Sequence, residues 1–313
     1  MSYVKPWINI DEQLDQLTER GLQVSDRDKA LNCLQRIGYY RLSGYWFAFR
    51  RRDAVAKLTD DFKPNATFQN AVDLYVFDKQ LRLLAMDALE RIEIALRVDI
   101  SHALGKLDAF AYLRGDLFHP TFSNELDKQT GLTKHHVWLT KHAQLISRSK
   151  EEFVNHNKTK YGLPLAVWVA CEVWDFGTMS TLFSGMREAE QDVISAKYGI
   201  ANGRTFATWL RSLNYLRNVC AHHSRLWNRN IVDQPKLPDA VVMPWVALFE
   251  GNPHARARCY LLLCMMRHLL LVVNPTSSWP TRMRDHLQAF PNLDHLGLNR
   301  LGMGAADGWN ANW

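Results

Sequence analysis

Cysteine is scarce in this sequence, and its spacing excludes two kinds of site. The 313 residues include five cysteines, and no two of them form a Cys-x-x-Cys pair. An odd number of unpaired cysteines does not suit a disulfide framework, and without paired thiolates a structural zinc site is not indicated. The sequence therefore predicts a protein of a reducing compartment.

Long apolar runs and cofactor-binding loops are also absent. The most apolar run, residues 260–273, is too short to span a bilayer and is interrupted by Arg267 and His268. Residues 1–9 contain no apolar signal region. There is no Walker loop, no Gly-rich dinucleotide turn and no Gly-x-Ser-x-Gly elbow. We therefore expect a cytoplasmic protein that does not enter the membrane, and we expect no cofactor and no metal.

The composition is that of a globular chain with a slightly basic charge. Hydrophobic residues make up 47% of the sequence and charged residues 22%, which is enough for one large domain or two smaller ones. Lysine and arginine number 38 against 32 acidic residues, so the formal charge is +6. This small excess favours an anionic partner such as nucleic acid.

Helical periodicity dominates the chain, which predicts an all-α protein. Two short helices are expected before Ile37, and apolar residues keep helical spacing through residues 67–104, which predicts a long scaffold helix. Residues 45–49 are aromatic enough for a short strand or a wedge, and residues 53–65 look like a linker or a surface loop. We therefore divide the chain into a small helical appendage at residues 1–65 and a helical domain at residues 66–313.

Two further expectations concern histidines and the C-terminus. His135 and His136 are most simply a solvated pair, and His142 is expected on the exposed side of a polar helix that runs to about residue 161. The last residues are expected to be poorly ordered unless Trp309 and Trp313 dock.

Residues 214–229 concentrate polar and charged side chains on one predicted helix. Apolar residues upstream recur at helical spacing, so the pattern predicts an amphipathic helix over residues 206–225. On that helix His222 points away from the apolar stripe and shares a face with Asn218 and Arg225. An amide, an imidazole and a guanidinium can therefore converge on one small volume.

This group of side chains suits phosphodiester chemistry. An imidazole can move protons near neutral pH, and a guanidinium stabilises negative charge on a phosphate. Arg217 supplies a second guanidinium, although it lies about 140° from His222 on an ideal helix. The alternative is a solvated polar face on which a histidine occurs by chance.

Two neighbouring residues are interpreted as supporting groups. His223 points almost with Leu216, so we expect a structural histidine at the edge of the packed face. Glu93 lies beside the apolar face of the long helix, where a carboxylate needs a partner. That partner is either Arg97 four residues later or Arg217.

Basic and aromatic residues alternate near the N-terminus. Arginines can hold phosphates while aromatic rings stack on unpaired bases. The alternative is that the rings fill a core and the arginines are solvated. The RNA-binding candidates under the first interpretation are Arg41, Tyr45, Trp46, Arg50, Arg51, Arg52 and Arg229.

Three stretches carry a family resemblance. The run Arg-Asn-Val-Cys-Ala-His at residues 217–222 resembles the Arg-Asn-x-x-x-His signature of the HEPN ribonuclease superfamily, and residues 217–229 resemble abortive-infection proteins of the AbiD/AbiF (Abi-like) type. Residues 38–46 are similar to that family's N-terminal signature, and residues 89–97 to its central helix. The resemblance extends over about residues 5–230, in the order that the family has.

The resemblance implies a HEPN-like helical bundle and a metal-independent endoribonuclease of an antiphage system. In it, the 2′-hydroxyl of the RNA attacks its own phosphate, His222 moves the proton, Arg217 stabilises the transition state and Asn218 orients His222. It also implies a homodimer, an RNA target and association with a small non-coding RNA. The alternative is a protein that binds a structured RNA without cutting it and acts as a regulator or scaffold.

Overall fold

The structure is a computed structural model that describes residue 4 and residues 6–313, and its architecture is all-α, as predicted. The α-helices of this part of the chain are α1 Ile10–Glu19, α2 Arg27–Ile37, α3 Tyr39–Trp46, α4 Phe68–Gly105, α5 Pro120–Ser123, α6 Lys134–Arg148, α7 Glu152–Tyr161, α8 Val167–Ala170, α9 Phe176–Gly185, α10 Glu188–Lys197, α11 Gly203–Ala221, α12 Pro253–Arg256, α13 Cys259–Val273 and α14 Trp279–Gln288. Two short strands, β1 Arg50–Arg52 and β2 Leu58–Phe62, form an antiparallel pair.

Helix α4 is the centre of the fold. Thr67 caps its first turn through a capping box with Asn70, and the helix then continues without a break for 38 residues. Helices α3, α9, α11, α13 and α14 all pack against it. The predicted scaffold helix is therefore confirmed, and it brings the N-terminal segment and α11 to a common support.

The N-terminal segment contains a helix and a hairpin where the sequence predicted a strand and a linker. Of the two alternatives for residues 45–49 the strand is wrong, because α3 continues to Trp46 and a 3₁₀ turn, Phe47–Phe49, follows it. The wedge agrees with the structure, since Tyr45, Trp46 and Phe49 are buried in the core. The linker prediction for residues 53–65 is corrected by β2. The Asp53 carboxylate accepts hydrogen bonds from the backbone N–H groups of Val55 and Lys57, which closes a tight turn between the strands.

The N-terminal segment shares the core of the remaining chain. Leu42 and Trp46 belong to the same continuous cluster of buried residues as the apolar face of α4. Lys63 donates a hydrogen bond to the carbonyl of Leu296, at 2.6 Å. The division into domains at residue 65 stays a prediction.

Two histidines that were expected in solvent are buried. His135 Nε2 lies 2.7 Å from the carbonyl of Tyr112, and His142 accepts a hydrogen bond from the Trp174 indole at 2.9 Å. The expectation was wrong because the polar segment is two helices, α6 and α7, and α6 packs its histidines against aromatic rings. Burial lowers the pKa of His142 to about 4.

The C-terminal residues dock onto α13 and α14. The Tyr260 hydroxyl donates to the carbonyl of Trp309 at 3.1 Å, and the Trp313 indole donates to the carbonyl of Pro280 at 2.7 Å. The sequence predicted order at this end of the chain only if Trp309 and Trp313 dock, and both residues do. None of the helices in the described ranges combines the length and the apolar character needed to cross a bilayer.

Candidate active site

The histidine pair lies at the end of α11, where the helix stops sooner than the periodicity predicted. His222 is the C-cap residue, and His223 adopts a left-handed backbone conformation with φ 54°. The N–H of Ser224 bonds to the carbonyl of Val219 at 2.9 Å, and the N–H of His223 bonds to the carbonyl of Cys220 at 3.0 Å. These two bonds form a Schellman motif, which ends the helix at Ala221 instead of Arg225.

This early ending corrects the interpretation of His223. Its side chain is exposed and does not lie at the edge of the core, because a residue beyond the helix no longer follows the helical phase. Its backbone carbonyl accepts a hydrogen bond from Arg41 Nη1 at 2.6 Å. His222 is also exposed, as its assignment as the reactive histidine requires.

Arg217 and Asn218 line a small polar cleft on the outer side of α11. The cleft has a volume of about 110 Å³, and Asn214, Lys141 and Asp175 complete its polar lining. Lys141 comes from α6, and its ammonium lies 2.9 Å from the Asp175 carboxylate, which caps α9. None of these three residues was among the site residues predicted from the sequence. Asn214 could have been found from its helical spacing, but Lys141 and Asp175 meet the motif only through tertiary packing.

Three motif side chains remain without protein partners. Within the described residues, the side chains of Arg217, Asn218 and His222 make no hydrogen bond and no salt bridge, and the Arg217 Nε atom is buried without an acceptor. The Nε atoms of Arg50, Arg97 and Arg267 are also buried without an acceptor, so the distinguishing feature of Arg217 is its place in the polar cleft. A phosphate oxygen is an acceptor that suits this guanidinium.

Glu93 is paired locally and also lies within the electrostatic range of Arg217. Arg97 lies 3.3 Å from Glu93 and 3.6 Å from Glu172. Burial raises the pKa of the Glu93 carboxyl, and the charges of Arg97 and then Arg217 act in the opposite direction. The local pair of Glu93 and Arg97 is therefore present, and Arg217 is close enough to Glu93 to act on its pKa.

The segment after the histidines is held by a buried carboxylate. Asp78 on α4 is 0% exposed and accepts hydrogen bonds from the backbone N–H groups of Leu226 and Trp227, at 3.1 and 2.8 Å. It also accepts a bond from the Tyr45 hydroxyl at 2.7 Å and forms a salt bridge with Arg82. Asp78 was not among the residues predicted from the sequence, although a carboxylate on the apolar face of α4 is a signal that it carries.

Arg225 does not join His222 and Asn218 on one face. Its guanidinium is half-buried and donates to the carbonyl of Gly44 in α3. Burial lowers the pKa of this guanidinium. The predicted convergence of Arg225 with His222 and Asn218 is therefore corrected, because the chain turns away after Ala221.

The aromatic residues proposed for base stacking belong to the core. Tyr45 is 2% exposed and Trp46 is 1% exposed, so neither ring can stack on a base, and the core alternative holds for both. Between residues 39 and 52 the exposed rings are instead Tyr40 and Phe47, at 81% and 51%. The guanidinium of Arg50 lies 5.5 Å from the Phe47 ring centre.

The arginines proposed for RNA binding differ in how far they are engaged. Arg50 forms a salt bridge with Asp60 at 3.1 Å, and Arg52 donates to the carbonyl of Ala56 at 2.7 Å. Arg229 donates to the Tyr215 hydroxyl at 2.8 Å and Arg41 to the histidine turn. Arg51 is exposed and has no partner among the described residues. Their contacts with RNA stay predictions.

Comparison with known proteins adds one result. The family model described as Abi-like protein matches residues 32–228, which is more than half of the chain and includes α3, α4 and the whole of α11 with its histidine turn. No curated protein and no solved structure gives a significant match. On the strength of this match, the chain belongs to the Abi-like protein family.

Proposed function

We propose that the protein is a HEPN-type endoribonuclease of the AbiD/AbiF type that acts in the cytoplasm in abortive infection against phage. The observation that carries the proposal is the state of the Arg217, Asn218 and His222 side chains. All three are free of protein partners within the described residues, while nearby arginines such as Arg225 and Arg229 are engaged. Polar groups left free beside a cleft are available to a substrate.

The proposed reaction is attack of a ribose 2′-hydroxyl on the adjacent phosphate. The 2′-oxygen forms a bond to phosphorus, the bond from phosphorus to the 5′-oxygen breaks, and the products are a 2′,3′-cyclic phosphate and a free 5′-hydroxyl. His222 moves the proton in this exchange, and Arg217 stabilises the charge that builds up on the phosphate oxygens. DNA lacks the 2′-hydroxyl and would not be cut.

A homodimer completes this site in our proposal. Arg217 lines the polar cleft, whereas His222 lies beyond the helix end and is not among the residues that line it. Two copies related by a two-fold axis would bring Arg217 of one chain to His222 of the other, since such a contact uses the same surface twice. Mixing Arg217→Ala protein with His222→Ala protein should then restore cleavage that neither has alone. A monomer that cleaves RNA would contradict the dimer.

A small non-coding RNA is proposed as a second partner. Two observations support RNA as this partner: the net charge of +6 and the exposed side chain of Arg51 in strand β1. A protein that only binds such an RNA, as a regulator or scaffold, is the competing function. It would use the same basic surface but would not need a free histidine.

Expression in a bacterial host separates the two functions. The wild-type protein should be toxic when overproduced, and His222→Ala should remove the toxicity at an equal protein level. The matched control is His156→Ala, because His156 is an exposed histidine on α7 whose side chain has no partner among the described residues. If His222→Ala is as toxic as the wild type, the regulator or scaffold is favoured and the ribonuclease proposal is wrong.

A further inference from the structure

The turn that carries His222 is held in place by residues from two other helices. Arg41 of α3 donates a hydrogen bond to the carbonyl of His223, one residue after the candidate catalytic histidine. Asp78 of α4 accepts the backbone N–H groups of Leu226 and Trp227, a few residues further along. The histidine turn is thus fixed from two directions by groups outside α11.

Such support is needed because the turn has an unfavourable conformation. His223 has a φ of 54°, in the left-handed region where a side chain is strained and where a glycine usually ends a helix. Helix ends also fray more easily than helix centres. The hydrogen bond from Arg41, at 2.6 Å, stabilises this conformation through the carbonyl of the strained residue itself.

The Asp78 carboxylate has the bonding of a structural hub. Leu226, Trp227, Tyr45 and Arg82 all contact it, so it joins α3, α4 and the chain after the histidines. A fully buried charge is unfavourable unless its hydrogen-bonding capacity is used, and here the partners come from α3, from α4 and from the chain shortly after the histidine pair. A shift of α3 or α4 would therefore be passed through Asp78 to the backbone at Leu226 and Trp227, a few residues after His222.

We propose that Arg41 and Asp78 are positioning residues that set the place of the His222 imidazole through the backbone of its turn. Arg41, an RNA-binding candidate from the sequence, is reassigned to this task. The catalytic part of this inference rests on the proposed ribonuclease function, but the positional part does not. Residues 38–46 then have a structural task in the site, because Arg41 of α3 contacts the histidine turn directly.

Arg41→Ala tests the inference without endangering the fold. Arg41 is exposed, so its removal should leave the melting temperature within about 2 °C of the wild type. Arg36→Ala is the matched control, because Arg36 is also an exposed arginine of the N-terminal segment and has no partner among the described residues. Arg41→Lys keeps one donor for the His223 carbonyl and serves as the conservative variant.

The first readout is the NMR signal of the His222 ring, which does not depend on catalysis. Arg41→Ala should shift or broaden the His222 resonances, Arg41→Lys should return them towards wild type, and Arg36→Ala should leave them unchanged. Assignment comes from the signal that His222→Ala removes. Unchanged His222 resonances in Arg41→Ala would overturn the inference even if the protein cleaves RNA.

The second readout is cleavage. A misplaced catalytic group lowers turnover more than substrate binding, so Arg41→Ala should reduce kcat by about 10- to 100-fold while KM stays within about two-fold. Arg41→Lys should recover a large part of kcat. A rise in KM with unchanged kcat would return Arg41 to phosphate binding and contradict positioning. If the wild type does not cut RNA while the NMR result holds, the ribonuclease proposal alone fails.

Discussion

Residues 217–222 and residues 225–229 are neighbours in one motif, but their side chains have opposite surroundings. In the first group, Arg217, Asn218 and His222 have no partner among the described residues. In the second group, Arg225 is bound to the carbonyl of Gly44, and the backbone between it and Arg229 is bound to a buried carboxylate. The same residue type, arginine, is therefore unpaired in one half of the motif and bonded to the protein in the other.

This difference shows that a continuous sequence signature can combine two requirements. In the proposed function, the first half needs side chains that reach a substrate, and the second half needs a backbone that stays in place. A polar residue that is fully bonded within the protein is costly to remove, whereas a free one costs the fold little. Substitutions in the two halves should therefore separate stability from activity.

The largest effect on stability is expected at Asp78. Asp78→Ala removes the acceptor of two backbone N–H groups and the partner of Arg82, which leaves a buried charge unpaired. We expect the free energy of unfolding to fall by about 3 to 5 kcal/mol. Asp73→Ala on the same helix is the control, because Asp73 is exposed. Chemical denaturation of both variants measures the difference, and equal midpoints would contradict a supporting role for Asp78.

A pH series defines the pH range in which the folded protein is stable, and so the range in which the two halves of the motif can be compared. The pKa of His142 is lowered to about 4 by burial, so the neutral ring is favoured in the folded state. Above the ordinary histidine pKa of about 6.5 the ring is neutral in both the folded and the unfolded chain. As the pH falls from 6.5 towards 4, the unfolded chain binds the proton first, so the free energy of unfolding decreases. We expect this residue to account for about 3 kcal/mol of acid destabilisation. In His142→Gln, the fall in melting temperature between pH 6.5 and 4 should become smaller, and an unchanged slope would contradict this assignment.

The two arginines that flank the histidine pair provide the most direct contrast. Arg225→Ala should lower the free energy of unfolding by about 1 to 3 kcal/mol, because it removes a charged donor to a backbone carbonyl. Arg217→Ala should change stability by about 0.5 kcal/mol or less but should abolish RNA cleavage. Denaturation and cleavage measured on both proteins decide the matter. If Arg217→Ala is the less stable variant, the division between the two halves is wrong.

The smallest expected effect is a gain in stability at His223. Glycine adopts the left-handed conformation of this position without strain, so His223→Gly should raise the free energy of unfolding by about 1 kcal/mol or less. The bond from Arg41 is retained because it ends on the backbone. Cleavage should persist, in contrast to His222→Ala. Loss of cleavage in a stable His223→Gly protein would show that the second histidine also acts in the reaction.

Much of the helical architecture could be predicted from the sequence, because long periodic segments such as α4 specify themselves locally. The end of α11 could not be predicted in this way. The left-handed residue of a Schellman motif is usually glycine, so His223 gave no local stop signal, and the bond from Arg41 that supports it comes from 182 residues away in the chain. Periodicity therefore carried the helix four residues too far, from Ala221 to Arg225.

The candidate site shows the same limit. The free residues Arg217, Asn218 and His222 were identified from their spacing and from the family resemblance. The burial of Tyr45 and the role of Asp78 depend on the packing of α3 against α4, and the meeting of Lys141 with Asp175 depends on α6 and α9. Composition and local pattern contain no information on which of several similar polar residues will find a tertiary partner.

The most direct test of the central claim is RNA cleavage by purified protein in EDTA, with analysis of the product ends. The wild-type protein should cut RNA and leave 2′,3′-cyclic phosphate and 5′-hydroxyl ends, and His222→Ala should reduce the rate by at least about 100-fold while it keeps the wild-type melting temperature. DNA of the same sequence should remain intact. Equal cleavage by the wild type and a folded His222→Ala protein, or activity that EDTA abolishes and magnesium restores, would contradict the account.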